Sequence, residues 1–347
     1  MLRSSWLRTM ASSTRPKVLR CGKTVYAHDK WDELATMADI VELELKSRDE
    51  FIEDLDNGKY DGVTNITRTF MSIKQTGRFD AELVKHFPDS VKLVSHCGAG
   101  YDQVDPEPLT ERGIQLSNVT EPVEAPTADT AVFLTLSCMR NFQQGHQGMA
   151  QWPQKPFGGA PIGRCPLSKV VGILGMGGIG RAIRDRLAPF GFKRVIYHNR
   201  NRVAPELEGN AEYVLKDQLL AESDVIMISV PLNKHTRHMV NKEMMDKMKP
   251  GVILINTARG AVIDEAELIN QLKLGKIALF GSDVFEHEPE VPQELIDMPQ
   301  VMSLPHMGTW SIDAIKAMEE WTVDNVISYI KTGKVKTIVP EQANEKW

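Results

Sequence analysis

Three short segments in the C-terminal half each place one ionisable residue in a turn marked by Gly or Pro: Asn256-Thr-Ala-Arg-Gly260, Ser282-Asp-Val-Phe-Glu-His-Glu-Pro289 and Leu304-Pro-His-Met-Gly308. The residues are Arg259, Glu288 and His306, and as a set they meet the needs of reducing a 2-oxoacid. A guanidinium can grip a carboxylate bidentately and polarise the neighbouring carbonyl. Imidazole is the natural proton donor near neutral pH. A carboxylate hydrogen-bonded to that ring would hold its tautomer and favour its protonated form. Singly, such an Arg or His is more often structural; three of them at the ends of apolar runs form a candidate catalytic set.

The remaining requirement is a hydride source, and the stretch from Val170 to Arg181 supplies the means to hold one. Gly175, Gly177 and Gly180 stand in GxGxxG spacing directly after an apolar run and before a helical one. The first permits a tight turn, the second lets backbone approach a pyrophosphate, and the third lets helix and strand pack closely. Unpaired N–H groups at the helix start, Gly178 and Ile179, would face the phosphates. An NAD site usually presents an acid about twenty residues later. Here Tyr197 is followed by His198, Asn199, Arg200, Asn201 and Arg202, with no carboxylate before Glu206. Asn199 and Arg200, helped by Arg202, are therefore expected to meet a 2′-phosphate, so that NADPH is preferred and NADH remains usable.

These residues need a scaffold. From Lys17 to about Thr120, apolar runs (61–66, 91–95, 114–119) alternate with helix-compatible stretches (48–56, 80–86), which predicts an α/β layer with a parallel sheet. Glu121–Pro126 reads as the crossing into a second domain, followed by a helix over 127–140. Gly158–Pro166 reads as loop. Beyond it, strands are expected at 170–175, 194–199, 224–230, 252–257, 278–284 and 301–304, with helices at 178–189, 241–248 and 264–274 and a last helix over 311–331. The fold class is thus α/β: two Rossmann-like or flavodoxin-like domains with parallel sheets and a cleft between them. The expected divisions are an arm over 1–16, a substrate domain over 17–121 plus 309–347, and a dinucleotide domain over 122–308.

Composition excludes several alternatives. The net charge of −5 and scattered basic residues leave no footprint for nucleic acid. No segment approaches the roughly 20 apolar residues that cross a bilayer. Cys21, Cys97, Cys138 and Cys165 form no zinc or disulfide pattern, and His235 with His238 lacks a further ligand, so no metal is expected. The first twenty residues carry Arg3, Arg8, Arg15, Lys17 and Arg20 and no acid. That suits either a mitochondrial address or a solvated arm; a start at Met10 would remove most of it and give a cytoplasmic form.

Taken together, these motifs resemble the D-isomer-specific 2-hydroxyacid dehydrogenases over nearly the whole length from Lys17 onward. Cys97-Gly-Ala-Gly-Tyr-Asp102 is similar to the family's Gly-x-Gly-x-Asp turn, and GxGxxG and the three catalytic segments follow in the family's order. The resemblance implies that the Ala99 and Gly100 N–H groups bind the substrate carboxylate alongside Arg259, and that Asp283 holds the nicotinamide carboxamide. It also implies weaker cofactor contacts at Thr127, Pro231, Thr236, Thr257, Ala258 and Gly308, with His306 beside the ring. Pro305–Thr309 and the ending Thr337–Glu341 look most like the fungal glyoxylate/hydroxypyruvate reductase branch. Relatives of this kind form homodimers through the nucleotide-binding domain, and Trp152 stands where a tryptophan of the branch reaches the partner's substrate pocket.

Three alternatives stay open on residues alone. A dehydrogenase of a larger, mandelate-like D-2-hydroxy acid differs only in pocket size, which no motif reports. A dinucleotide-sensing corepressor of the same fold would be expected to carry a long disordered tail after the last helix. A formate dehydrogenase would pair the histidine with glutamine, where this chain has Glu288.

Overall fold

The most apolar runs form the most buried strands. A computed structural model describes residues 15–44 and 47–347, and the chain divides into two compact units, one reaching to Val119 and resuming at Lys316–Trp347, the other Thr120–Ile315. The basic arm, up to residue 14, lies outside the described residues.

In the first unit, β1 (Lys17–Cys21), β2 (Asp39–Glu42), β3 (Val63–Thr69), β4 (Leu93–Cys97) and β5 (Gln115–Ser117) form a parallel sheet in the order β2-β1-β3-β4-β5. Successive side chains leave a strand on opposite faces, so Leu19 joins the cluster around Phe51, Phe79 and Leu83, whereas Val18 joins Trp31, Leu34, Val323 and Val326. The last two residues belong to the helix Ile312–Thr332. Glu319 of that helix accepts hydrogen bonds from the backbone N–H groups of Val25, Tyr26 and Ala27 at 2.7, 2.9 and 2.9 Å. The helix His28–Ala35 has no side-chain cap of its own, and a carboxylate far away in sequence instead anchors its N-cap residue, Ala27, and the loop after β1.

In the second unit, β6 (Val170–Leu174), β7 (Arg194–His198), β8 (Ala211–Tyr213), β9 (Val225–Ile228), β10 (Val252–Asn256), β11 (Ile277–Ser282) and β12 (Val301–Ser303) make a parallel sheet in the order β12-β11-β10-β9-β6-β7-β8. Every residue of β6, β9 and β10 is buried, as a parallel sheet with helices on both faces requires. Strand order reverses between β6 and β9, and doubly wound sheets hold ligands outside such a reversal.

The structure differs from the sequence reading in short helices such as Phe142–Gln147, Lys216–Glu222 and Gln293–Asp297, which were not expected, and in two larger features. The helix expected over 127–140 runs from Glu121 to Arg140, so Glu121–Pro126 is not an irregular crossing. Pro122 falls in the first turn, where its missing N–H has no intrahelical acceptor anyway. The second sheet has seven strands; β8, only Ala211–Tyr213 on the edge, is too short for periodicity to reveal.

Replacing Glu319 by Ala would leave three N–H groups without their acceptor. We expect a loss of about 2 kcal/mol, read as a melting temperature lowered by several degrees, with Glu319→Gln losing less.

Candidate active site

The three glycines of the turn after β6 differ in what surrounds them. Gly175 has φ +103°, and a Cβ there would come within 2.5 Å of the Ser229 carbonyl oxygen at the exit of β9. A Cβ on Gly180 would lie 2.1 Å from the Gly175 carbonyl oxygen, so the helix Gly178–Leu187 packs against the turn only without one. At Gly177 a Cβ would meet nothing within 4 Å: that backbone is open to an approaching group. An open glycine backbone at a helix N-terminus is a cradle suited to a pyrophosphate, so a dinucleotide fits the residues present.

The neighbouring side chains are arranged as follows. Asn199 braces the turn, its Oδ1 accepting from the Met176 N–H at 2.7 Å. Arg202 is committed elsewhere, since its guanidinium makes two bonds of 2.7 and 2.8 Å to Glu208. That pair, with the Tyr197 hydroxyl, pulls the Glu208 carboxyl down to about 2. Arg200 is exposed, and among the described residues it makes no hydrogen bond or ion pair. Glu124 was not anticipated: a Cβ on Gly178 would lie 1.6 Å from its Oε1. Burial pushes the Glu124 carboxyl up, opposed by Arg181.

β10, β11 and β12 are adjacent, with Asn256 opposite Ser282 and Ser282 opposite Ser303. The three segments chosen for their chemistry therefore leave the sheet side by side. Asn256 folds the first of them, donating from Nδ2 to the Arg259 carbonyl at 3.0 Å and accepting from the Ala258 N–H at 3.0 Å. Gly260 then lies so close to the second segment that a Cβ would be 1.8 Å from the Phe285 carbonyl carbon. Phe285 N–H donates to Glu288 Oε1 at 2.9 Å, and Glu288 Oε2 accepts from His306 Nδ1 at 2.6 Å. Burial would raise the Glu288 carboxyl, but the bond from His306, its charge, the Phe285 N–H and the Arg259 charge hold it below the usual range. An ionised Glu288 requires the hydrogen on His306 Nδ1, which makes Nε2 the nitrogen for exchange with a ligand.

Asp283, 2% exposed, accepts from the Met307 and Gly308 N–H groups, each at 2.7 Å. His306 has φ +53°, a left-handed conformation that costs a non-glycine residue about 1 kcal/mol, and the paired bonds just after it hold the turn there. Burial pushes the Asp283 carboxyl up, while the Met307 N–H and His306 draw it down.

Of the weaker candidates, Thr236 donates to the Pro231 carbonyl at 2.6 Å and accepts from the Asn233 N–H at 2.8 Å, closing the turn after β9. Thr127 and Thr257 are buried, Thr127 next to Gly308. His238 pairs with Glu286 at 2.5 Å, and among the described residues no three His, Cys, Asp or Glu side chains could hold a metal. Trp152 is 59% exposed, and no hydrogen bond or ring contact ties it to Arg259, Glu288 or His306. Ala99 and Gly100 belong to the first unit, where Asn118 Nδ2 donates to the Ala99 carbonyl at 2.8 Å and His96 Nε2 to that of Gly100 at 2.9 Å.

Residues 132–308 match the family model described as the D-isomer specific 2-hydroxyacid dehydrogenase, NAD binding domain. Glyoxylate reductase 1 of Saccharomyces cerevisiae is 48% identical over 341 residues, covering 96% of this chain and 97% of the relative. The 4-methyl-2-oxopentanoate reductase A of Aspergillus oryzae is 43% identical, covering 95% and 99%. The crystal structure of a glyoxylate reductase from Paecilomyes thermophila superposes with a TM-score of 0.91 at 42% identity, covering 94% of this chain and 99% of that one. With the glycine turn and the three strand-end segments in place, the chain belongs to the D-isomer specific 2-hydroxyacid dehydrogenase family of oxidoreductases.

Proposed function

We propose that the protein reduces glyoxylate, and hydroxypyruvate with it, to the 2-hydroxy acid with NADPH as the preferred coenzyme. The observation that carries this reading is the 2.6 Å pair of His306 and ionised Glu288, in the electrostatic reach of Arg259. Arg259 binds the substrate carboxylate and polarises its carbonyl. His306 gives the proton on Nε2 to the carbonyl oxygen as it gains negative charge, and Glu288 balances the imidazolium until then. The Ala99 and Gly100 N–H groups take the carboxylate. The turn at Gly175, Gly177, Gly178, Ile179 and Gly180 would hold the coenzyme, with Thr127, Pro231, Thr236, Thr257, Ala258, Asp283 and Gly308 toward its nicotinamide half, and the coenzyme would supply the hydride. Arg200 answers the 2′-phosphate.

A homodimer belongs to the same proposal. Phe142, Met149, Trp152, Phe157 and Ile162 are all exposed within one stretch of the second unit, apolar side chains that a partner subunit would cover. Trp152 would then serve the partner's pocket. Among the described residues no helix is long and apolar enough to cross a membrane. The two-form reading of the N-terminus, one mitochondrial and one cytoplasmic from Met10, is tested by sequencing the mature N-terminus from each compartment.

A larger 2-oxoacid as the main substrate is the second reading, favoured by the similarity to the Aspergillus oryzae enzyme, whose name carries a branched one. Steady-state rates on glyoxylate, hydroxypyruvate and 4-methyl-2-oxopentanoate, each with both coenzymes, separate the two: highest kcat/KM on the branched acid would replace the first reading.

His306→Ala should lower kcat by about 10²–10⁴; unchanged turnover would remove the proton-donor role. Since Glu288 is held ionised below the ordinary carboxylate range, Glu288→Gln should move the alkaline limb of the reduction profile to lower pH, the imidazolium having lost its balancing charge. Arg200→Asp should raise the KM for NADPH about tenfold or more, the loss of roughly 1.4 kcal/mol, with little change for NADH; equal effects would refute the phosphate contact.

A further inference from the structure

Arg68 lies on β3, at the middle of the first sheet, with Cys21 beside it on β1 and His96 beside it on β4. Its side chain is wholly buried, at 0% exposure. Among the described residues it forms no salt bridge. The Cys21 thiol is pushed up to about 12 by burial, so it stays neutral and brings no counter-charge. Phe79 covers the guanidinium, 5.1 Å from ring centroid to Cζ, and its Nε has no hydrogen-bond partner. Burial lowers Arg68 to about 10, opposed by the more distant charge of Asp102, which leaves it a cation at neutral pH. A buried cation with no carboxylate in contact is costly, and a neutral residue of similar size would avoid that cost.

Its remaining bonds lead to a single place. Nη1 meets His96 Nδ1 at 3.2 Å and Nη2 donates to Gln103 Oε1 at 2.7 Å. A guanidinium only donates, so His96 Nδ1 must accept, and the ring carries its hydrogen on Nε2. That nitrogen donates to the Gly100 carbonyl at 2.9 Å. Gly98 permits the approach, since a Cβ there would lie 2.7 Å from His96 Nε2. Arg68 thus holds both ends of the 97–103 turn, and Asn118 holds the Ala99 carbonyl between them. Both carbonyls are engaged by donors of the protein, whereas the Ala99 and Gly100 N–H groups make no hydrogen bond among the described residues. A chain of donors that begins at a cation polarises each bond along it.

We propose that Arg68 is a positioning residue, the fixed buried counter-charge of the substrate carboxylate, acting through His96 and Gln103 on the turn that receives it. The proposal rests on the reading of Ala99 and Gly100 as the carboxylate site. The cost of the buried Arg68 charge is offset when an anion arrives on the two N–H groups. Selectivity for acids over neutral carbonyl compounds is the consequence, and it separates this role from simple support of the fold.

The test uses the full-length enzyme with NADPH, comparing glyoxylate with its uncharged methyl ester. Arg68→Met should raise the KM for glyoxylate tenfold or more and leave kcat/KM for the ester and the KM for NADPH unchanged, with Arg68→Lys restoring part of the loss. His96→Phe, which cuts the relay and keeps the cation, should show a smaller loss of the same kind and carries the test if Arg68→Met does not fold. Equal losses on acid and ester, or no loss on either, would overturn the proposal. Gly100→Pro removes one of the two N–H groups: an unchanged glyoxylate KM in that variant would refute the carboxylate site itself, whereas a raised KM there beside an unaffected Arg68→Met would refute only the role of Arg68.

Discussion

Asn256, Ser282 and Ser303 stand opposite one another on three neighbouring parallel strands, and this register places the chemistry. Parallel pairing sends all three chain segments out of the same edge of the sheet, so a guanidinium, a carboxylate and an imidazole far apart in sequence leave from adjacent points. A slip of one residue would turn the side chains of a strand to the other face. The local bonds then refine what the register sets: Asn256 shapes the Arg259 turn, Gly260 lets it press against Phe285, and Asp283 fixes the backbone after His306.

Electrostatics follow from that packing. Glu288 is buried enough for desolvation to oppose its charge, yet His306, the Phe285 N–H and Arg259 outweigh it. Asp283, deeper and met by two N–H groups, is shifted the other way. Two carboxylates a few residues apart are thus pushed in opposite directions, the one facing the imidazole downward. Such a split suits one acid for balancing a proton donor and the other for holding a turn.

Much of this was legible in the residues. The GxGxxG turn was readable because a glycine forced by sterics cannot be exchanged: close contacts require Gly175 and Gly180, while Gly177 leaves its backbone open to a ligand. The central strands were readable because burial on both faces makes them uniformly apolar. Arg259, Glu288 and His306 could be singled out by type and by their place at strand ends. The helix start at Glu121 was hidden behind Pro122 and Pro126, which signal a break by composition but sit early in a helix that tolerates them. Arg202 looked like a partner of Arg200, yet Glu208, six residues on, claims it. Glu124 beside Gly178, His238 with Glu286, and Arg68 beneath the 97–103 turn depend on contacts between distant segments, which no local spacing reports.

The central claim is that the ends of β10, β11 and β12 converge on one small anion. A crystal structure of the enzyme with NADP⁺ and oxalate tests it most directly. The account predicts the Arg259 guanidinium and His306 Nε2 each within about 3 Å of oxygens of the same oxalate, with the His306–Glu288 bond intact. Oxalate bound away from either residue, or a His306 turned from Glu288 with Nδ1 toward the ligand, would contradict it.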